Sequence, residues 1–86
     1  MELERILQLT KEERTNLPLE DLLKSEMQAI INETILTDEN IKIAEMRFLK
    51  LMNGEKIAEC LGYDSRTMQA RIKFIKERLR NTLINI

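Results

Sequence analysis

The sequence predicts an all-α protein, a small bundle of about five helices. Three observations point there. Two glycines and one proline in 86 residues leave little turn material, so few and long elements are expected. Apolar residues recur at threes and fours along most of the chain. Only three aromatic residues are present (Phe48, Tyr63, Phe74), fewer than an all-β core or a base-stacking surface for single strands normally uses. The length suits one domain, with a core that packed helices can fill.

Taken in order, "MELERILQL" sets Leu3, Ile6, Leu7 and, at its end, Leu9 on one helical face. Thr10 followed by Glu13 has the spacing of a capping box and restarts a short helix. "TNLP" is the first break. Pro18 suits a first helical turn, with Glu20 and Asp21 complementing the positive end of the dipole. Leu19, Leu22, Leu23, Met27, Ile30, Ile31 and Thr34 then predict one amphipathic helix of about five turns. Thr37 caps the next helix, with Ile41, Ala44, Phe48, Leu49 and Met52 facing inward, and Asn53-Gly54 stops it. "EKIAECL" is a short helix ended by Gly62. Asp64 or Ser65 caps the last helix, which carries Met68, Ile72, Ile75, Leu79, Leu83 and Ile86 along one stripe. That stripe suits either the core side of a bundle or a coiled-coil seam between two copies.

Composition excludes several function classes. With one cysteine and no histidine, neither an internal disulfide nor a Cys/His zinc site can form. The common general base and the His-paired nucleophiles are missing, and no glycine-rich phosphate loop is present. The adjacent acids Glu12-Glu13 and Glu20-Asp21 read as helix-start residues. No enzyme activity and no cofactor are therefore expected. No apolar run approaches the roughly 20 residues of a membrane span. The acidic start does not resemble a signal peptide, and a cytoplasmic location is expected.

The net charge of −1 is unevenly placed: residues 1–36 carry −4, residues 37–64 carry −2, and residues 65–86 carry +5. The basic end follows a short apolar segment in "EKIAECLGYDSRTMQARIKFIKERL". A helix-turn-helix needs a small residue at the crossing, a turn residue that tolerates positive φ, apolar residues that lock the angle, and a polar exposed face on the second helix. Ala58 is the small residue and Gly62 sits in the turn. Ile57, Leu61, Tyr63 and Met68 form the lock, and Ser65, Arg66, Thr67, Gln69, Ala70 and Lys73 fall on the exposed face. A solvated basic face on a plain bundle helix is the competing explanation.

From Leu36 onward, about 50 residues resemble region four of sigma-70-type sigma factors and its cousin, the LuxR-type effector domain. The matching features are Leu36-Thr37, then Arg47-Phe48-Leu49, then Glu55, Ile57, Ala58, Leu61 and Gly62, then Ser65, Thr67, Arg71 and Ile72. Asn53-Gly54 and Met68-Gln69 depart from the usual pattern. The resemblance implies transcriptional work on duplex DNA, with a surface for RNA polymerase. The chain resembles small stand-alone regulators of the phage or mobile-element type. In such a reading, Ser65 or the amides at the start of the last helix hold a phosphate, and Arg66, Gln69 and Lys73 reach base edges. Arg71, Lys76, Arg78 and Arg80 are phosphate contacts or solvated charges.

The expected organisation is thus a helical extension over residues 1–36, which packs on the last helix or forms a dimer interface, and a helix-turn-helix domain over 37–86. A homodimer would use residues 1–36 or the stripe Ile75, Leu79, Leu83 and Ile86. Phe74 is expected to pack on the N-terminal helices, Cys60 to be half-buried, and Met27, Met46, Met52 and Met68 to fill the core. The rival function is a protein-binding adaptor or inhibitor that uses the same fold to grip RNA polymerase, a sigma factor or a nuclease.

Overall fold

The structure, a computed structural model, describes residues 2–86. The described residues form six α-helices and no strand. These are α1 (Glu4–Leu7), α2 (Lys11–Asn16), α3 (Lys24–Glu33), α4 (Asp38–Phe48), α5 (Gly54–Leu61) and α6 (Ser65–Asn85), with a single 3₁₀ turn at Leu19–Asp21. No described helix is long and apolar enough to cross a membrane.

α6 is the axis. Its 21 residues span about 31 Å at 1.5 Å per residue. The molecule measures 40 × 21 × 21 Å, so α6 must run along its long dimension. Met68, Ile75, Leu79 and Leu83 are buried along one side of it, with Ile72 and Ile86 half-buried beside them. α2, α3, α4 and α5 all pack against α6. The stripe is therefore the core side of a bundle: Ile75, Leu79 and Leu83 lie under the chain's own helices and are not exposed to a second copy.

Several helix starts follow local chemistry. Thr10 and Glu13 form the capping box, with Thr10 Oγ1 accepting from the Glu13 amide at 3.1 Å and the Thr10 amide donating to Glu13 Oε1 at 2.9 Å. Thr37 Oγ1 accepts from the Asn40 amide. α4 touches α3, α5 and α6, so its buried arc is wider than one stripe. Ile43, Ala44, Met46 and Phe48 are buried, whereas Ile41, Leu49 and Met52 are half-buried.

The N-terminal third departs from expectation. The predicted five-turn helix from Pro18 is a 3₁₀ turn, two extended residues (Leu22 and Leu23) and a helix that opens only at Lys24. Pro18 itself is extended. In an unbroken helix the Leu23 amide would donate to the carbonyl of Leu19. Here it donates to Glu26 Oε1 at 2.8 Å, and the Leu19 carbonyl takes the Leu22 amide instead. Glu26 is only 1% exposed, and its carboxylate is held by Arg5 through Nε at 2.9 Å and a terminal nitrogen at 2.6 Å. One buried carboxylate thus caps α3 and anchors α1 across 21 residues. The break leaves Leu23 exposed and Leu22 half-buried, and Leu7 is also exposed, while Leu3, Ile6 and Leu19 enter the core.

Asn53-Gly54 does not end α4. That helix stops at Phe48, and the chain turns through Leu51 in the left-handed region (φ 57°), a strained position for a side chain with a Cβ. Asn53 instead caps α5, its Oδ1 accepting from the Lys56 amide at 2.8 Å, and Gly54 is the first residue of that helix.

Two arginines tie the N-terminal segment to the end of α6. Arg14 is 7% exposed. Its guanidinium donates to the carbonyls of Leu7 (3.3 Å), Leu9 (3.2 Å), Ile84 (3.4 Å) and Ile86 (2.6 Å). These oxygens belong to the ends of α1 and α6, where carbonyls lack a helical donor and the dipole is negative. Arg80 of α6 answers by donating to the carbonyls of Arg14 (3.0 Å) and Leu17.

Arg14→Met keeps the length of the apolar stem and leaves these carbonyls without their donor. Urea unfolding is expected to show a loss of about 2–4 kcal/mol. The Arg5 guanidinium, against the opposing cost of burial, holds the Glu26 carboxyl below its ordinary range. A carboxylate whose folded pKa is depressed stabilises the fold above its unfolded pKa and loses that contribution as pH falls through the folded value. Glu26→Gln is therefore less stable than the parent at neutral pH, and the gap narrows as pH is lowered below about 4.5, the ordinary value. Urea midpoints of both chains from pH 7 to pH 3 check this.

Candidate nucleic-acid interface

α5, its turn and α6 position the candidate site. Gly62 adopts a left-handed conformation (φ 79°) at the end of α5, and the Tyr63 amide closes the turn on the Ala58 carbonyl at 2.9 Å. Ile57, Ala58 and Met68 are buried, with Leu61, Tyr63 and Ile72 packed against them, so the residues expected to lock the angle do lie together in the core layer. Cys60, on the outer side of α5, is exposed rather than half-buried.

Asp64 caps α6, and Ser65 is the first helical residue. Asp64 Oδ1 accepts from the Thr67 amide at 2.7 Å and Oδ2 accepts from the Thr67 hydroxyl at 3.1 Å. These bonds hold the Asp64 carboxyl below its usual range. The expected phosphate position at the start of α6 therefore already holds a carboxylate, and Ser65 is half-buried.

Beyond the cap, Arg66, Thr67, Gln69, Ala70 and Lys73 are exposed. At 100° per residue, Arg66, Ala70 and Lys73 lie within a narrow arc, flanked by Gln69 on one side and Thr67 on the other. Gln69 shares an open cleft with Arg47, Asn53, Gly54, Glu55 and Ile72, where α4, α5 and α6 meet. Arg47 was legible only as part of the Arg47-Phe48-Leu49 stretch. Its place beside Gln69 depends on the α4–α5 turn at Leu51, which the sequence does not signal.

The remaining basic residues of α6 are engaged within the molecule. Arg71, expected among the DNA contacts, donates to Glu39 Oε1 at 2.7 Å and to Asn40 Oδ1 at 3.1 Å, and lies 5.4 Å from the Tyr63 ring centroid. Tyr63 also donates its hydroxyl to Glu39 Oε1 at 2.7 Å. Lys76 is 3.8 Å from Glu20, Arg78 donates to the Ile35 carbonyl at 3.1 Å, and Arg80 holds the α2 carbonyls described above. Arg66 and Lys73 are the two cations of α6 for which the described structure shows no such partner. The +5 of residues 65–86 thus overstates the charge that this face offers to a ligand.

Phe74 does not pack on the N-terminal helices. It is 50% exposed and lines a shallow groove with Ile35, Leu36, Thr37, Asn40 and Arg78, and Ile35 beside it is 85% exposed. No family model, no curated protein and no solved structure matches the chain.

A Cβ added at Gly62 would meet nothing within 4 Å, so Gly62→Ala carries only the cost of the left-handed backbone. Thermal or urea unfolding is expected to show a loss of about 1–2 kcal/mol, with no change in the cooperativity of the transition.

Proposed function

We propose that this chain is a duplex-DNA-binding regulator of transcription, with a helix-turn-helix like that of sigma-70 region four formed by α5 and α6. The observation that carries the reading is the display of Arg66, Gln69 and Lys73, exposed and with no side-chain polar partner among the described residues, immediately after a capped glycine turn. Arginine pairs with guanine and glutamine with adenine through two hydrogen bonds each, worth about 1–3 kcal/mol of discrimination per good contact. Lys73, one turn further along, suits a base edge or a phosphate. So few contacts give modest affinity for one copy, so a second DNA-bound copy or a docked polymerase would supply the rest. No catalytic step is part of this reading.

A second reading rests on a different observation. Ile35 and Phe74 form an exposed apolar pair beside the same helix, which suits a protein partner such as RNA polymerase, a sigma factor or a nuclease.

Salt dependence separates the two. Each phosphate neutralised contributes about −0.9 to the slope of log affinity against log salt. Fluorescence anisotropy with a mixed-sequence duplex is expected to give a slope of about −2 to −4 for the parent. Arg66→Ala/Gln69→Ala/Lys73→Ala is expected to lose most of that binding while melting like the parent. No binding by the parent at low salt would contradict the DNA reading and favour the apolar surface.

A further inference from the structure

We infer that Glu39 limits the DNA affinity of this protein by holding Arg71 away from the phosphate backbone. The inference rests on the DNA-binding reading above and assigns a regulatory residue to the same face. Arg71 lies one helical turn after Thr67, at the border of the exposed arc of α6, within reach of the backbone that would flank a helix lying in the groove. Its charge is nevertheless directed the other way, into α4.

Three groups hold it there. Glu39 supplies a carboxylate at 2.7 Å, Asn40 an amide oxygen at 3.1 Å and Tyr63 a ring face at 5.4 Å. Asn40 is 8% exposed, so a withdrawing Arg71 would leave a buried acceptor without this donor. The Tyr63 hydroxyl donates to the same Glu39 oxygen and steadies the carboxylate. The hydrogen bond to Glu39 raises the pKa of Arg71, and Tyr63 and Arg71 together lower that of Glu39, so the pair stays fully charged through the neutral range. Glu39 thus has two effects on an approaching duplex: it engages a cation that could neutralise a phosphate, and it adds a negative charge at the edge of the face. Removing the carboxylate takes away the charged partner and leaves Arg71 with neutral ones.

The two effects are separable by salt. Anisotropy titrations of a mixed-sequence duplex between about 50 and 200 mM salt would compare the parent, Glu39→Ala and Glu39→Ala/Arg71→Met. Glu39→Ala is expected to bind more tightly, with a slope steeper by about 0.9 and an advantage that shrinks about threefold over this range. The double variant is expected to return to the parent slope. An unchanged slope in Glu39→Ala, or a steeper slope that survives the loss of Arg71, overturns the inference and leaves the DNA reading standing. A parent that binds no duplex at low salt overturns the DNA reading, and the inference with it. Glu39 is exposed, so Glu39→Ala is expected to melt as the parent does, whereas the double variant also leaves Asn40 without its Arg71 donor and is compared by its slope; Glu39→Gln removes only the charge and is read by the same slope if Glu39→Ala does not fold.

Discussion

Burial of the apolar side of α6 is the constraint on which the rest of the structure depends. Met68, Ile75, Leu79 and Leu83 need a cover about 22 Å long, at 1.5 Å per residue. α5, α4, α3 and α2 all pack on α6, with Thr34 and Arg14 reaching its last turns. Because one helix carries both the core stripe and the exposed Arg66–Lys73 face, the pose of that face is set by packing along its whole length. The N-terminal segment is therefore part of the site's scaffold. Its arginine–carbonyl contacts at Arg14 and Arg80 hold the far end of α6, beyond the exposed face, and the Gly62 turn holds the near end.

The same economy explains the charges. A bundle made of six helices in 86 residues has many helix ends and few residues with which to satisfy them. Arginine, with five donors on a planar fork, answers that need better than lysine. Arg14, Arg78 and Arg80 all bind main-chain carbonyls, Arg5 binds the buried Glu26, and Arg71 binds α4. What reaches the surface as usable positive charge on α6 is small. The DNA reading thus favours few contacts and dependence on a second binding partner, and the exposed Ile35 and Phe74 offer a place where a protein could contribute.

How much of this was legible in the sequence divides by the range of the interactions. The Thr10–Glu13 box, the Thr37 cap, the Gly62 turn and the apolar stripe of α6 are decided within one or two helical turns, and the residues announce them. The break before α3 is decided by Glu26 reaching Leu23 while Arg5, far back in the chain, neutralises it, so the continuous apolar period from Leu19 to Thr34 pointed to a longer helix than forms. At Asn53-Gly54 the residues signal a turn but not which helix they serve, and the strain falls on Leu51 instead. On α6 the sequence displays six cations in one run, but four of them, Arg71, Lys76, Arg78 and Arg80, meet carbonyls and carboxylates of other elements. The candidate face shrank accordingly from the stretch between Ser65 and Arg80 to the arc of Arg66, Gln69 and Lys73 with their small neighbours.

In the proposed function this arc meets DNA. Backbone amide chemical shifts of the ¹⁵N-labelled chain, followed as a mixed-sequence duplex is added at low salt, test it most directly. The largest shifts are expected on residues 65–73 and on the start of α5 beside Arg47, with α2 and the end of α6 unmoved. Shifts centred on Ile35 and Phe74, or none at all, would contradict it.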